Sequence, residues 1–337
     1  MTVVGPFGLT VRDQALEADV QAGLAAVEEG LIETTKSEVP FITRAAQHLV
    51  HAGGKRFRPL LVLLGAQFGD PYAPGVVPSA VVVELTHLAT LYHDDVMDEA
   101  DVRRGVPSAN ANWDNSVAVL TGDFLFARAS HTLADLGPEA VRVQAEAFER
   151  LVTGQILETA GPGENGDPVN HYLDVIAGKT GSLIAVAGRF GAMMSGADES
   201  TVSILTQYGE RIGTAFQLAD DVLDIASDSH ESGKTPGTDL REGIATLPVL
   251  RLREMAASPG ATAEDRELCA LLDGDLSDDV RHAEALAGLR AHPALERARR
   301  DTVHYADEAR ETLAPLPDCA AKRALAGLCD AVVHRAG

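Results

Sequence analysis

Two stretches of the chain place aspartates where their carboxylates can act together. In Leu91-Tyr92-His93-Asp94-Asp95-Val96-Met97-Asp98, Asp94 and Asp98 stand at i and i+4, so on a helix both project from one face about a turn apart. The arrangement recurs as Asp220, Asp221 and Asp224, in Leu218-Ala219-Asp220-Asp221-Val222-Leu223-Asp224, again closing an apolar run. Like charges at that spacing destabilise a bare helix, so something positive should compensate. Carboxylates with no cysteine and few histidines nearby are hard oxygen ligands. They suit Mg2+, which keeps several waters and binds jointly with substrate phosphates. One such cluster could be an exposed helix end with a capping role. Two copies, each after an apolar helix, favour a metal site, with the clusters facing each other across a bundle cavity.

Cations for a phosphate group occur in several places. Gly53-Gly54-Lys55-Arg56-Phe57-Arg58-Pro59 sets three of them around a Gly-Gly turn leading into a helix. Glycine lets the backbone approach an anion, and a helix N-terminus adds free N–H groups and a favourable dipole. Arg103 and Arg104 follow Asp98 closely, where a guanidinium fork could meet a phosphate chelated through the aspartates. Lys179-Thr180 and Lys234 offer further point charges. Neither Gly-Lys-Thr is a P-loop, because the upstream glycine at the required spacing is missing and no strand precedes it. His87 lies on the same helical stripe as Leu91, Asp94 and Asp98 and is read as a phosphate-facing donor. Glu84-x-x-His87 could instead be half of a di-iron site in a four-helix bundle, but the chain has no second Glu-x-x-His.

The elements that must carry these residues are helices. Of 337 residues 45% are apolar and only 4% aromatic, which supports a sizeable core and argues against a β-sandwich. Apolar spacing predicts helices over 9–30, 37–51, 58–69, Ser79 to about Asp101, 116–136, 138–160, 170–195, 199–226, 245–257, 262–273, 279–290, 293–313 and 318–335. The stretch 227–243 is polar and Gly/Ser-rich and reads as a loop. No linker separates two regimes of composition, so residues 1–337 are read as one all-α domain.

Twenty-eight basic against fifty acidic residues leave a formal charge of −22, which repels nucleic acid and anionic lipid. Any site for a phosphorylated substrate therefore needs local cations or bound metal. Cys269, Cys319 and Cys329 form no ligand spacing and read as reduced thiols in a cytoplasmic protein. No apolar run is long enough to span a bilayer, though a greasy product could draw the protein to a membrane surface.

Taken together, these segments resemble the trans-prenyl (polyprenyl) diphosphate synthase family, and its long-chain bacterial members in particular. In order they are GGKRFRP, ELTHLATLYHDDVMDEADVRRGVPSAN, LTGDFLFARA, KTGSLIAVAGRFGA, GTAFQLADDVLD and GKTPGTDLREGIATLP, and the resemblance covers about residue 40 to 250. The resemblance implies an isoprenoid-synthase fold: an all-α bundle of long helices around a deep central cavity, usually in a homodimer. It implies Mg2+ as cofactor, three ions with substrate bound, held by Asp94, Asp98 and Asp220. Asp95 and Asp221 count with these as catalytic, as does Lys179, and Asp224 supports them. Lys55, Arg58, His87 and Arg104 resemble the isopentenyl diphosphate site. Arg103, Lys179, Thr180, Gln217 and Lys234 resemble the contacts to the allylic prenyl diphosphate. Two positions depart from the family pattern. Ile244 stands where many relatives carry a lysine, so one phosphate contact is missing or supplied by Arg241. In Gly154-Gln155-Ile156-Leu157-Glu158 the acidic and amide residues are exchanged.

The implied reaction is condensation of an allylic diphosphate with isopentenyl diphosphate. Ala89, Thr90 and Thr86, below the first aspartates, are all small, where short-chain relatives usually place a bulky aromatic. A product longer than geranylgeranyl diphosphate is therefore expected. Alternatively these small residues serve helix packing, with Phe124 or Phe126 closing the pocket, and the enzyme is a geranylgeranyl or farnesyl diphosphate synthase. A class I terpene cyclase also ionises a prenyl diphosphate, but would not need GGKRFRP for a second substrate. A non-catalytic subunit of a heteromeric synthase would tend to lose its aspartates.

Overall fold

Ala- and Leu-rich runs form helices almost throughout, and β-branched residues within them do not interrupt the pattern. The computed structural model describes residues 13–164, 166–227 and 236–336. In chain order it contains α1 (Gln14–Thr34), α2 (Pro40–His51), α3 (Phe57–Ala66), α4 (Val76–Met97), the short strands β1 (Val102–Arg103) and β2 (Val106–Pro107), α5 (Ala109–Asn112), α6 (Asn115–Leu136), α7 (Pro138–Ala160), α8 (Pro168–Ile176), a π-helical turn (Ala177–Gly181), α9 (Ser182–Met194), α10 (Glu199–Ala226), α11 (Thr238–Arg241), α12 (Leu247–Ala257), α13 (Ala263–Leu272), α14 (Asp279–Ala291), α15 (Pro293–Thr312) and α16 (Ala320–Ala336). No helix among the described residues is long and apolar enough to cross a membrane.

The chain divides into two compact units. The first comprises residues 1–149, 182–209 and 312–328. At its centre is α4, which packs against α1, α3, α6 and α9. Val82, Val83, Leu85 and Leu88 of α4 are completely buried, so the helix is apolar around most of its circumference. Each such side chain contributes about 1.5–3 kcal/mol by leaving water. The second unit comprises residues 150–181, 210–311 and 329–337. Within it α12 packs against α8 and α13, and α13 against α14. Helix starts in both units carry side-chain caps: Asp13 for α1, Asp114 for α6, Asp167 for α8, Asp278 for α14, and a capping box between Thr262 and Asp265 for α13.

Three details differ from the sequence-based expectation and bear on function. The helix expected to reach Asp101 ends at Met97, with Asp98 as its C-cap and Glu99 in the left-handed region at φ 50°. A tight antiparallel hairpin then pairs Val102 with Pro107 and Arg103 with Val106. Its turn needs positive φ at both Arg104 and Gly105. Finally, the helix expected over 170–195 is interrupted at Ala177–Gly181 by a π-helical turn, a feature frequent at functional sites. Lys234 lies outside the described residues.

Candidate active site

Asp94 lies on α4 and Asp98 caps its C-terminus, the Asp98 N–H donating to the Asp94 carbonyl at 2.8 Å. Both carboxylates therefore keep the one-turn spacing although the helix ends between them. Asp95, about 100° round the helix from Asp94, is fully buried. Its Oδ1 accepts Arg103 Nε at 2.5 Å, and Arg103 Nη2 stands 3.8 Å from Asp98 Oδ2. Burial pushes the Asp95 carboxyl above the usual carboxylate range, against the opposing pull of Arg103. The expected compensating charge is thus Arg103, brought back onto α4 by the hairpin.

The hairpin turns Arg104 the other way, toward the Gly53-Gly54 turn. Arg104 Nη1 donates to the carbonyls of Gly53 and Leu49, the latter at 3.2 Å. A Cβ on Gly54 would stand 2.8 Å from the Arg104 guanidinium carbon, so only glycine admits this approach. Arg56, the middle cation of GGKRFRP, is buried and left-handed at φ 46°. It donates to both carboxylate oxygens of Glu28, to Glu84 Oε1 at 2.9 Å and to the Val50 carbonyl at 3.0 Å. These bonds engage Arg56 within the protein. Lys55 is exposed.

Arg58 faces the same cluster, and its Nε is buried without a hydrogen-bond acceptor. Burial lowers its pKa to about 10, Glu84 opposing and Arg104 adding to the shift, so it keeps its charge at neutral pH. His87 is held neutral: burial, then the guanidinium groups of Arg58, Arg104, Arg103 and Arg56, push its pKa well below the ordinary value. A neutral imidazole still has one N–H to donate. An anion arriving among these groups relieves their mutual repulsion.

In the second unit a hydrogen-bonded chain runs through the other motif. Thr180 Oγ1 donates to Gln217 Oε1 at 3.0 Å, Gln217 Nε2 donates to Asp221 Oδ1 at 2.8 Å, and the Tyr172 hydroxyl donates to Asp221 Oδ2. Asp221 is buried, and desolvation, with Asp239 second, pushes its pKa up to about 8. The bonds from Tyr172 and Gln217 pull the other way and lose to burial. Asp220 is half-buried, and its Oδ1 lies 2.7 Å from Arg335 Nη2. Asp224 Oδ2 accepts the Asp239 N–H at 3.3 Å. Lys179 sits in the π-helical turn with its Nζ on Glu158.

The donor set fits Mg2+. Among the described residues no three His, Cys, Asp or Glu side chains form a cage that would hold an ion by itself. Asp94 and Asp98 offer two hard oxygens on one face, as suits an ion that takes its other ligands from water and a substrate phosphate.

Two sequence-based readings need revision. Ala89 is fully buried, and its carbonyl lies 3.1 Å from where a Cβ on Gly122 of α6 would stand. Thr86 is also buried, donating to the Val82 carbonyl at 2.9 Å and accepting Gln144 Nε2 at 2.9 Å. Both side chains are buried in the protein. Thr90 alone of the three is half-buried, on the stripe with His87, Leu91 and Asp94. Phe126 packs on Phe148 at 4.6 Å and on His93 at 5.7 Å between ring centroids. Arg241 does not stand in for the lysine replaced by Ile244: it pairs with Asp279 at 2.8 Å and with the Ser277 carbonyl at 3.3 Å.

Sequence reasoning missed Glu28, Tyr172 and Arg335, and noted Glu158 only as a departure from the family pattern. Nothing local marks them, since each reaches its partner across 20 or more intervening residues. Glu84 was noted only for its spacing to His87.

A family model described as polyprenyl synthetase matches residues 39–286. The chain is 51% identical over 332 residues to nonaprenyl diphosphate synthase of Mycobacterium tuberculosis, covering 98% of this chain and 97% of that one. A crystal structure of a decaprenyl diphosphate synthase from Rhodobacter capsulatus superimposes with a TM-score of 0.86 at 36% identity, covering 96% of this chain and 99% of that one. A geranylgeranyl pyrophosphate synthase from Corynebacterium glutamicum, complexed with calcium and isoprenyl diphosphate, superimposes with a TM-score of 0.86 at 44% identity, covering 97% and 99%.

Proposed function

The chain belongs to the polyprenyl synthetase family, and on that premise we propose that it condenses an allylic prenyl diphosphate with isopentenyl diphosphate to make an all-trans polyprenyl diphosphate longer than geranylgeranyl. One observation carries the reading. A carboxylate pair, Asp94 and Asp98, shares the end of α4 with a cluster of guanidinium groups around the neutral His87. A metal-binding acidic face beside a separate cationic pocket is what two diphosphate substrates require.

With substrate bound, Asp94 and Asp98 would hold Mg2+ for the allylic diphosphate, and Asp220 would hold the remaining one of three ions. Arg103, Lys179, Thr180, Gln217 and Lys234 contact the same diphosphate. Lys55, Arg58, His87 and Arg104 anchor isopentenyl diphosphate. Bound Mg2+ supplies positive charge that stabilises the departing diphosphate. The residues' own part is to orient: with both substrates fixed by their diphosphates, the isopentenyl double bond lies beside the allylic carbon. The allylic C–O bond breaks with its electron pair leaving on diphosphate, a new C–C bond forms, and a proton lost to the departing diphosphate restores an allylic double bond. The buried Asp95 and Asp221 act at one remove, Asp95 by fixing Arg103 and Asp221 by fixing Gln217 and Tyr172. We further propose a cytoplasmic homodimer that meets the membrane only peripherally.

Incubation with farnesyl or geranylgeranyl diphosphate, isopentenyl diphosphate and Mg2+, followed by mass spectrometry, tests this. Products beyond twenty carbons are expected. A series ending at twenty would make it a short-chain synthase. A cyclic hydrocarbon formed without isopentenyl diphosphate would overturn the assignment.

A further inference from the structure

Lys179 already holds an anion of the protein's own. Its Nζ donates to Glu158 Oε2 at 2.6 Å, and the same oxygen accepts Gln155 Nε2 at 3.0 Å. Glu158 and Lys179 are brought together by Gly154. A Cβ at that position would stand 2.6 Å from the Lys179 backbone nitrogen and 3.0 Å from the Val175 carbonyl, so the α7 backbone rests directly on the π-helical turn. Glu158, four residues on from Gly154 and thus on the same face of α7, then lies alongside the Lys179 side chain. The two side chains are 32% and 34% exposed, Lys179 first, so an incoming phosphate can reach the ammonium.

We propose that Glu158 is an intramolecular competitor for Lys179. It weakens the hold of this lysine on diphosphate groups and so speeds their departure; the inference rests on the reading that Lys179 contacts the allylic diphosphate. An ammonium has three donors, so carboxylate and phosphate can both reach it. They cannot both do so without mutual repulsion, and an arriving diphosphate must loosen the Glu158 contact. Gln155 gives the displaced carboxylate a partner, which keeps it close enough to return. The consequence falls on turnover. Each condensation leaves inorganic diphosphate where the allylic substrate was bound, and that group must leave before the lengthened product can present its own diphosphate there. A half-exposed ion pair is a weak competitor, worth a factor of about two to five. Glu158 therefore tunes the affinity and does not gate it.

The test is Glu158→Gln, which keeps the shape and removes the charge. The inhibition constant for inorganic diphosphate and the KM for farnesyl diphosphate should each fall about two- to five-fold, less at high salt. The KM for isopentenyl diphosphate should not move. In a Lys179→Met background, adding Glu158→Gln should change nothing, since the competed-for cation is gone. An inhibition constant unchanged or raised in Glu158→Gln, or lowered equally in the Lys179→Met background, would overturn the proposal. Wild-type protein that fails to extend farnesyl diphosphate would instead remove the reading beneath it. A wild type that extends it, beside an unaltered Glu158→Gln, refutes the competitor role alone.

Discussion

Arg103 Nε and Asp95 Oδ1 lie 2.5 Å apart, joining the tip of a two-stranded hairpin to the fully buried carboxylate of the helix before it. This one ion pair folds the chain back after α4. Arg103 Nη2 also stands 3.8 Å from Asp98 Oδ2, so one guanidinium lies beside both carboxylates. Arg104, next in sequence, turns toward the Gly53-Gly54 loop.

The pair should therefore be structural first. Asp95→Asn removes the charge that neutralises Arg103 in a part-buried setting. We expect a loss of about 2 kcal/mol, below the usual cost of breaking a fully buried pair because Arg103 is partly solvated. Urea unfolding with Asp95→Asn beside Asp98→Asn checks this: Asp98, half-exposed, should cost far less stability.

Glu84 ties together the arginines of the cationic cluster from within the protein. It is 1% exposed and accepts Arg56 at 2.9 Å, with Arg104 Nη2 at 3.9 Å. Glu84→Gln should raise the KM for isopentenyl diphosphate about ten-fold while leaving that for the allylic substrate near its original value, since leaving buried charge uncompensated distorts the cluster. A purely structural role would lower the melting temperature and move both constants together.

Product length should respond at Thr90. Thr90→Phe, on the half-buried stripe with Asp94, is expected to shorten the longest product seen by mass spectrometry. Ala89→Phe is expected to destabilise the protein by about 1–3 kcal/mol or more, because the added ring has no space between α4 and α6. Unchanged product length in a folded Thr90→Phe protein would place the length determinant elsewhere.

Asp221 makes stability depend on pH. Its carboxyl titrates near 8 in the folded protein against 3.8 ordinarily, so between those values the folded chain holds a proton that the unfolded chain has lost. This contribution is fully present below about 4 and is lost as pH rises through 8, with a slope of at most ~1.4 kcal/mol per pH unit. Urea titrations in metal-free buffer from pH 5 to 9 should show that decline. Asp221→Asn should flatten it.

Much of the site could be read in the chain because its logic is local. The i, i+4 spacing of Asp94 and Asp98 survives even though the helix stops at Met97, since the turn that follows keeps the backbone bond between them. The Gly53-Gly54 turn was expected to admit an anion; what stands close to Gly54 in the structure is the Arg104 guanidinium. The hairpin at 102–107 was less legible: two-residue strands leave no period to detect, and only Arg104-Gly105, with positive φ at both, hints at the turn. The π-helical turn at Lys179 is short and lies between two helices with ordinary apolar spacing, so its wider turn is invisible to periodicity.

The sequence alone determined an all-helical chain, the two aspartate clusters and the cations that a diphosphate would need. All of these follow from residue type and spacing within a few positions. Which acidic partner each cation meets within the protein was decided only by tertiary structure. Arg56 belongs to Glu28 and Glu84, Arg103 to Asp95, Arg241 to Asp279 and Lys179 to Glu158. A charge is cancelled by whatever lies within a few ångströms in space, and most of those partners lie far along the chain.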